Sequence, residues 1–153
     1  MRILYTRVDG GLSVVNAAPK EHLERVLGVL TDEAYKAHVW ERSVPKDAAN
    51  AVEIDDAYQL PDREFRNAWK QDAKTVVHDL EKARKLQLDK IRLAREPKLV
   101  ELDKEFMLAL EKGESTTAIV AKKQRLRDIT KPLKDAVLAS IEDVRRAFPD
   151  ELK

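Results

Sequence analysis

The sequence has no cysteine, which excludes disulfide bonds, thiolate catalysis and cysteine-ligated zinc. Imidazole ligands are scarce as well, because His22, His38 and His78 are dispersed and none has a metal-site spacing such as HExxH. The only adjacent glycines, Gly10 and Gly11, lack the context of a phosphate-binding loop. We therefore expect no metal, no cofactor and no nucleotide in this chain.

Long apolar runs are absent too. The first residues contain no apolar stretch of signal-peptide length, and no run of about 18 apolar residues occurs anywhere. Neither sign of charge dominates, since 29 Lys and Arg stand against 28 Asp and Glu and leave a net charge of +1. We expect a soluble protein made in the cytoplasm, with no membrane partner and no global field that would attract nucleic acid.

Charged residues are what the sequence has in excess. They make up 37% of the chain, against about 25% in an ordinary globular domain. Six of the eight aromatic residues lie before position 79, whereas the charged, leucine-rich stretch follows it. The pattern predicts an α+β, mainly helical protein, with a small α/β head over residues 1–78 and a charged helical region over residues 79–153.

Turn and cap signals divide the head into short elements. Asp9-Gly10-Gly11 separates two β-forming runs, and Thr31 followed by Asp32-Glu33 is typical of a helix start. The predicted elements are a β-hairpin of residues 2–8 and 12–15, a helix after Pro19, a helix from Thr31 that buries Tyr35, Val39 and Trp40, and strands at 51–54 and 75–78.

The helical region carries apolar residues eleven positions apart. Leu80, Ile91 and Leu102 form one such series, and Leu88, Leu99 and Leu110 form another. An eleven-residue period keeps one apolar stripe in line along a nearly straight helix, and we call these six residues the seam.

The helical region is predicted to contain a kink or break, a reversal of the chain and two further helices. Proline inside a helix costs about 3 kcal/mol, so we expect a kink or break near Pro97. Gly113 suits a helix C-terminal cap, which predicts a reversal into a helical hairpin. Helices are then expected at 116–129 and at 131–148, the second with Leu133, Val137, Ile141, Val144 and Phe148 on one face.

The seam is the first candidate for a functional surface. An apolar helix face without a partner in its own chain must find one elsewhere, so we expect Leu88, Leu99, Phe106 and Leu110 to contact other proteins or copies of the chain. The alternative is that the helical segments pack against one another in a monomer and leave no exposed seam.

A second candidate surface is the segment PDREFRNAW at residues 61–69. Phe65, Arg66 and Trp69 are residue types that are enriched at interface hot spots. The interpretation we favour is that Phe65 and Trp69, four residues apart, instead pin one helical turn onto the hairpin.

A third candidate is the basic cluster of Lys122, Lys123, Arg125 and Arg127, which would suit phosphate contacts with nucleic acid. No aromatic residues interleave these side chains, and helical spacing places Lys123 and Arg125 on different flanks. A solvated helix face explains the cluster better, and nucleic acid is not favoured as a partner.

Several segments together resemble a family of small proteins encoded in tailed-bacteriophage and prophage genomes. These are RILYTRVDGGLSVV, PDREFRNAW, LDKIRLAREPKLVELDKEFMLALEKG and AKKQRLRDIT. The resemblance implies a tail-associated protein without enzymatic activity, similar to tail-fibre assembly chaperones or minor tail proteins. Its implied partners are other phage tail or fibre proteins or a second copy, and its implied place is the host cytoplasm and then the tail region of the virion.

This sequence departs from that family pattern after its QRLRD element at residues 124–128. In the relatives the element lies near the C-terminus, whereas here the predicted helix at 131–148 follows. The extension puts the transfer of an assembly-chaperone role in doubt.

Overall fold

The structure is a computed structural model that describes all 153 residues. It divides into two compact units, Met1–Asp79 and Leu80–Lys153, and their boundary lies beside the predicted change of character at residue 79. Helices account for 55% of the residues and strands for 16%. The prediction of an α+β, mainly helical fold is confirmed.

The first unit contains three antiparallel strands in the order β2-β1-β3, followed by a separate two-stranded hairpin, β4-β5. Two helices lie between β2 and β3, and a short 3-10 segment precedes β4. In chain order the elements are β1 (Arg2–Thr6), β2 (Leu12–Asn16), α1 (Lys20–Leu27), α2 (Asp32–Ser43), β3 (Ala49–Ile54), the 3-10 segment (Arg63–Ala68), β4 (Trp69–Asp72) and β5 (Thr75–His78).

The predicted hairpin forms, with Ile3 opposite Val15 in an antiparallel register. Gly10 has a φ of +75°, so the turn uses the left-handed conformation that glycine adopts without strain. The Asp9 carboxylate accepts a hydrogen bond from the backbone N–H of Gly11 at 2.8 Å. The Asp-Gly signal therefore located the turn correctly.

The central strand β1 is covered on both faces, because neighbouring residues of a strand point in opposite directions. Ile3 packs with Tyr35 and Val39 of α2. Leu4 lies on the other face, in a cluster with Trp69 of β4. Both Ile3 and Leu4 are fully buried, so the head has a three-layer core.

The second unit is organised around one helix, α3 (Leu80–Glu111), which is 32 residues long. At about 1.5 Å per residue it extends for about 48 Å. Three shorter helices pack along it, α4 (Thr117–Asp128), α5 (Lys131–Asp135) and α6 (Ile141–Arg146), followed by a 3-10 turn (Asp150–Leu152).

Gly113 ends α3 and reverses the chain, as its sequence position predicts. Its φ is +68°, its N–H donates to the Leu110 carbonyl at 3.1 Å, and the Glu114 N–H donates to the Ala109 carbonyl at 2.8 Å. This pair of bonds is a Schellman motif, which satisfies carbonyls that a helix end leaves open.

We predicted a kink or a break near Pro97, and a break is absent, because α3 continues as one helix through this residue. Ile91 before the proline and Leu102 after it are buried in the same core, which holds the two halves in one helix. Pro97 lies on the exposed side. The bond that it removes therefore frees only the Leu93 carbonyl, on the same exposed side of the helix.

The predicted single helix at 131–148 is also wrong. The chain leaves the helix at Ala136, whose φ and ψ are −68° and 138°, and α6 begins after Ser140. Ser140 and Asp143 form a capping box, which favours a new helix start at this point over continuation of the old helix. Val137, predicted on the buried stripe, is 97% exposed.

Candidate functional site

The seam of α3 largely faces the interior of its own unit. Leu88, Ile91 and Leu102 are buried in one core, and Leu99 packs against it. The other buried members of this core come from the returning segments and are Leu126, Leu133 and Leu152. Leu88 and Leu99, which we predicted at an interface, pack within their own unit and therefore offer little area to a partner.

Two arginines on the inner face of α3 donate hydrogen bonds to backbone carbonyls at the ends of the shorter helices. Arg84 donates to the carbonyls of Lys134 at 3.3 Å and Ala136 at 2.7 Å, where the chain leaves α5. Arg95, eleven residues later, donates to the carbonyl of Arg127 at 3.2 Å near the end of α4. The eleven-residue period therefore places polar clamps as well as apolar contacts on this face.

The other two predicted contact residues of α3, Phe106 and the seam residue Leu110, are less buried. Phe106 is half-buried, and the Lys123 ammonium lies 5.1 Å from the centre of its ring. Lys123 also forms an ion pair with Asp103. Leu110, in the last turn of α3, is 52% exposed, so among the four contact residues predicted on α3 it is the most open to a partner.

The opposite face of α3 carries a second row of apolar residues, which we did not predict from the eleven-residue pattern. Leu86, Leu93, Val100 and Met107 stand seven residues apart, and we call them the outer row. Leu93 is 78% exposed, and Val100 and Met107 are exposed as well. The signal was present in the sequence as a seven-residue period, but the eleven-residue period of the inner face obscured it.

The segment PDREFRNAW is part of the core of the head. Phe65 is 1% exposed and Trp69 is 2% exposed, and only Arg66 of the three predicted contact residues faces solvent. The carboxylate of Asp62 accepts a hydrogen bond from the Glu64 N–H at 2.7 Å and so starts the 3-10 segment. This burial agrees with the favoured interpretation, in which Phe65 and Trp69 pack inside the head and leave little area for a partner.

The basic cluster on α4 is partly neutralised. Lys123 pairs with Asp103, and Arg125 lies 3.0 Å from the carboxylate of Glu151. A shallow groove of about 380 Å³ beside this pair is lined by Lys98, Glu101, Leu102, Glu105, Lys122, Arg125, Leu126 and Glu151. Because acids and bases alternate along it, the groove does not present a continuous basic surface.

Several carboxylates with lowered pKa values belong to surface pairs and caps. A hydrogen bond from Lys20 lowers the pKa of Asp32, and hydrogen bonds from Gln124 and Lys131 lower that of Asp128. Hydrogen bonds with Ser140 and with backbone N–H groups lower the pKa of Asp143. Each shift is explained by a local partner that stabilises the charged carboxylate.

No cluster of three or more His, Asp or Glu side chains has a geometry that could hold a metal ion. None of the helices has the combination of length and apolar composition that crossing a bilayer requires.

Comparison of the chain with protein-family models, with curated proteins and with solved structures found no match. The candidate site is therefore defined by its geometry alone: one long helix whose inner face is packed and whose outer row exposes Leu93, Val100 and Met107, with Leu86 half-buried.

Proposed function

We propose that the chain is a non-enzymatic structural or assembly protein of a bacteriophage tail, which acts through protein–protein contacts on the outer face of α3. The observation that carries the contact role is the outer row, which exposes Leu93, Val100 and Met107 along one side of a long helix. The phage context comes from the sequence resemblance.

An exposed, aligned set of apolar residues supports a contact role for a physical reason. Single apolar residues scattered on a surface are ordinary, whereas exposed apolar residues that repeat in line along one helix need an explanation, and contact with a partner supplies one. Regular spacing along one helix also suits a helical or grooved partner, which reads side chains at one-turn or two-turn intervals.

The rigidity of α3 supports the same role. Its inner face is anchored by a leucine-rich core and by the Arg84 and Arg95 clamps, so the outer row is held in a fixed geometry. A preorganised surface loses less conformational entropy when it binds. The proposed interface therefore includes Leu110 and the outer row, and it excludes Leu88 and Leu99.

The alternative, a phage-encoded nucleic-acid-binding or host-regulating factor that uses residues 122–127, has less support. Two of the four basic side chains are engaged by carboxylates within the chain. Binding to nucleic acid depends on cations that are available to phosphates.

The test uses the phage or prophage that encodes the chain. The double variant Leu93→Asp with Val100→Asp should reduce the yield of tailed, infectious particles by at least about tenfold, because charge on the contact face opposes apolar docking. The matched control is Val26→Asp with Val29→Asp, which places the same two charges at apolar residues that are 83% and 97% exposed in the head. Tails are scored by electron microscopy, and the chain is sought in purified particles by mass spectrometry.

Normal tails from a phage with the gene deleted would overturn the proposal. Presence of the chain in purified particles would assign it to the virion, and its presence only on tail intermediates would assign it to assembly.

A further inference from the structure

We infer that two copies of the chain associate side by side and in parallel through the outer rows of α3, an inference that rests on the contact face named in the proposed function. The row itself is the first observation. Apolar residues at Leu86, Leu93, Val100 and Met107 repeat every seven positions, the period at which two α-helices pack along one another. Over three heptads the row drifts by about 60°, which two helices accommodate by a gentle left-handed wrap.

The charges beside the row are the second observation. On one side, three positions after successive row members, stand Asp89, Glu96 and Asp103. On the other side, four positions after the same members, stand Lys90, Pro97 and Lys104. At about 100° per residue these two sets flank the row on its left and right. The outer face thus has an acidic edge and an edge with two lysines.

The acidic edge and the lysine edge do not extend beyond the row. Lys82 precedes the acidic edge, and after Asp103 the next position of that edge is Leu110. Glu111 follows the lysine edge. The complementary stretch is therefore confined to residues 89–104, which is about four turns of the helix.

This arrangement selects both the partner and its direction. When two identical helices pack in parallel about a two-fold axis, the left edge of one faces the right edge of the other, as g and e positions do in a coiled coil. Asp89 then faces Lys90 of the other copy, and Asp103 faces Lys104. In an antiparallel pair, acid would face acid and lysine would face lysine, which is unfavourable.

This charge pattern favours a second copy of the chain as the partner, because the same helix face carries both the acidic edge and the lysine edge. A two-fold interface uses the same patch on both subunits, so the patch must complement itself. Asp89 and Asp103 already pair with Arg92 and Lys123 in their own chain, but a carboxylate has lone pairs for a further donor. Exposed pairs of this kind determine orientation more than affinity.

The association should be weak. Only one position in seven is apolar along the row, and its neighbours are charged or proline, whereas a strong coiled coil has two apolar positions in each heptad. Pro97 also stands at the middle of the lysine edge. We therefore expect a dissociation constant on the order of tens of micromolar, which is compatible with exchange for another partner.

The first experiment exploits the absence of cysteine. A Leu93→Cys variant of the full chain has one thiol, and parallel packing in register places it opposite its own counterpart, within the short Cβ separation that a disulfide requires. Val137→Cys is the matched control, because it is 97% exposed and lies away from the row. At about 50 µM in an oxidising buffer, Leu93→Cys should give a disulfide dimer at least about tenfold faster than the control.

Equal rates for the two variants would overturn the inference. So would faster cross-linking between Leu93→Cys and Val100→Cys than within either variant, because two rows that overlap fully in the antiparallel direction place residue 93 opposite residue 100. The shape of the chain is unaffected by these substitutions at exposed sites, and circular dichroism checks this.

The second experiment tests the charges by equilibrium sedimentation. Lys90→Glu with Lys104→Glu should raise the dissociation constant at least about tenfold, since acid then faces acid in the parallel pair. Adding Asp89→Lys and Asp103→Lys to that variant exchanges the two edges and should restore association. In an antiparallel pair the lysine changes would replace one repulsion with another, so an unchanged dissociation constant contradicts the parallel arrangement.

These results separate the two proposals. A wild-type chain that remains monomeric at several hundred micromolar sinks self-association but leaves the tail contact open to a different partner. If the wild type forms a dimer but the phage that carries Leu93→Asp with Val100→Asp gives a normal yield, the tail role is contradicted and the dimer is not.

Discussion

The central element of the head and the central element of the helical unit are covered differently. In the head, β1 contributes Ile3 to one face of the sheet and Leu4 to the other, and both are fully buried. In the helical unit, α3 buries Ile91 on its inner face and exposes Leu93 two residues later. A strand with layers on both sides has no apolar face left for a partner, whereas a helix packed on one side can keep one.

The reason for the difference lies in length. β1 has five residues, and α2 and the β4-β5 hairpin are long enough to cover it. α3 is about 48 Å long, and the three shorter helices cover only the face toward which they fold back. The comparison supports placing the proposed contact residues on α3 and not on the aromatic segment at 61–69.

The largest expected effect concerns the aromatic core of the head. Phe65→Ala should lower the free energy of unfolding by about 3–5 kcal/mol, because it removes a fully buried ring and leaves a cavity. Trp40 and Trp69 are the only tryptophans, so a urea titration followed by tryptophan fluorescence reports on the head. Arg66→Ala, at the exposed neighbour, should change the same quantity by less than about 0.5 kcal/mol. Equal losses of stability for Phe65→Ala and Arg66→Ala would contradict the placement of Phe65 in the core.

A matched pair on α3 tests its two faces directly. Ile91→Ala should cost about 2–5 kcal/mol of unfolding free energy, since Ile91 is fully buried among leucines. Leu93→Ala removes a side chain of the same size from the outer row and should cost less than about 0.5 kcal/mol. The measurement is urea unfolding followed by circular dichroism at low concentration, where self-association is absent. A large loss at Leu93 would show that the outer row is packed within the chain.

The polar clamp at Arg84 should have a smaller effect. Arg84→Met keeps much of the side-chain volume but leaves the carbonyls of Lys134 and Ala136 without their donor, at a cost of about 1–3 kcal/mol. Lys85→Met is the control, because Lys85 is exposed on the same turn. Thermal unfolding followed by circular dichroism compares the two, and a control that loses as much stability as Arg84→Met would refute the clamp.

The smallest expected effect is at the start of α6. Ser140→Ala removes a capping side chain and should cost about 0.5–2 kcal/mol at neutral pH. Hydrogen bonds with Ser140 and with the N–H groups of Ala139 and Ser140 hold the pKa of Asp143 below its ordinary value. A lowered folded-state pKa adds stability above the unfolded-state value of about 3.9, and that stability is lost as the pH falls through the folded-state pKa.

The stability difference between wild type and Ser140→Ala should therefore narrow as the pH is lowered from 7 toward about 2. Urea unfolding at a series of pH values measures it. A difference that is constant with pH would mean that Asp143 does not contribute through this cap.

Local signals in the sequence predicted the features that depend on few neighbours. Asp9-Gly10-Gly11 located the hairpin turn, Gly113 located the reversal of the chain, and the hydroxyl of Thr31 accepts a hydrogen bond from the Ala34 N–H at 3.1 Å, as its cap position predicts. β4 was missed, because its four residues pair only with β5 and carry little strand signal of their own. The break in the last predicted helix was missed because Leu133 and Val144 are both buried but belong to different helices.

The sequence by itself determined the composition of the two units, the position of the change between them and the turns that divide the head. It also contained both periods of α3, the eleven-residue seam and the seven-residue outer row. A period shows that residues share a face, but it does not show what that face meets. Only the tertiary structure decided that the seam is filled by α4, α5 and the C-terminal turn while the outer row stays exposed, because burial depends on contacts between residues that are distant in the chain.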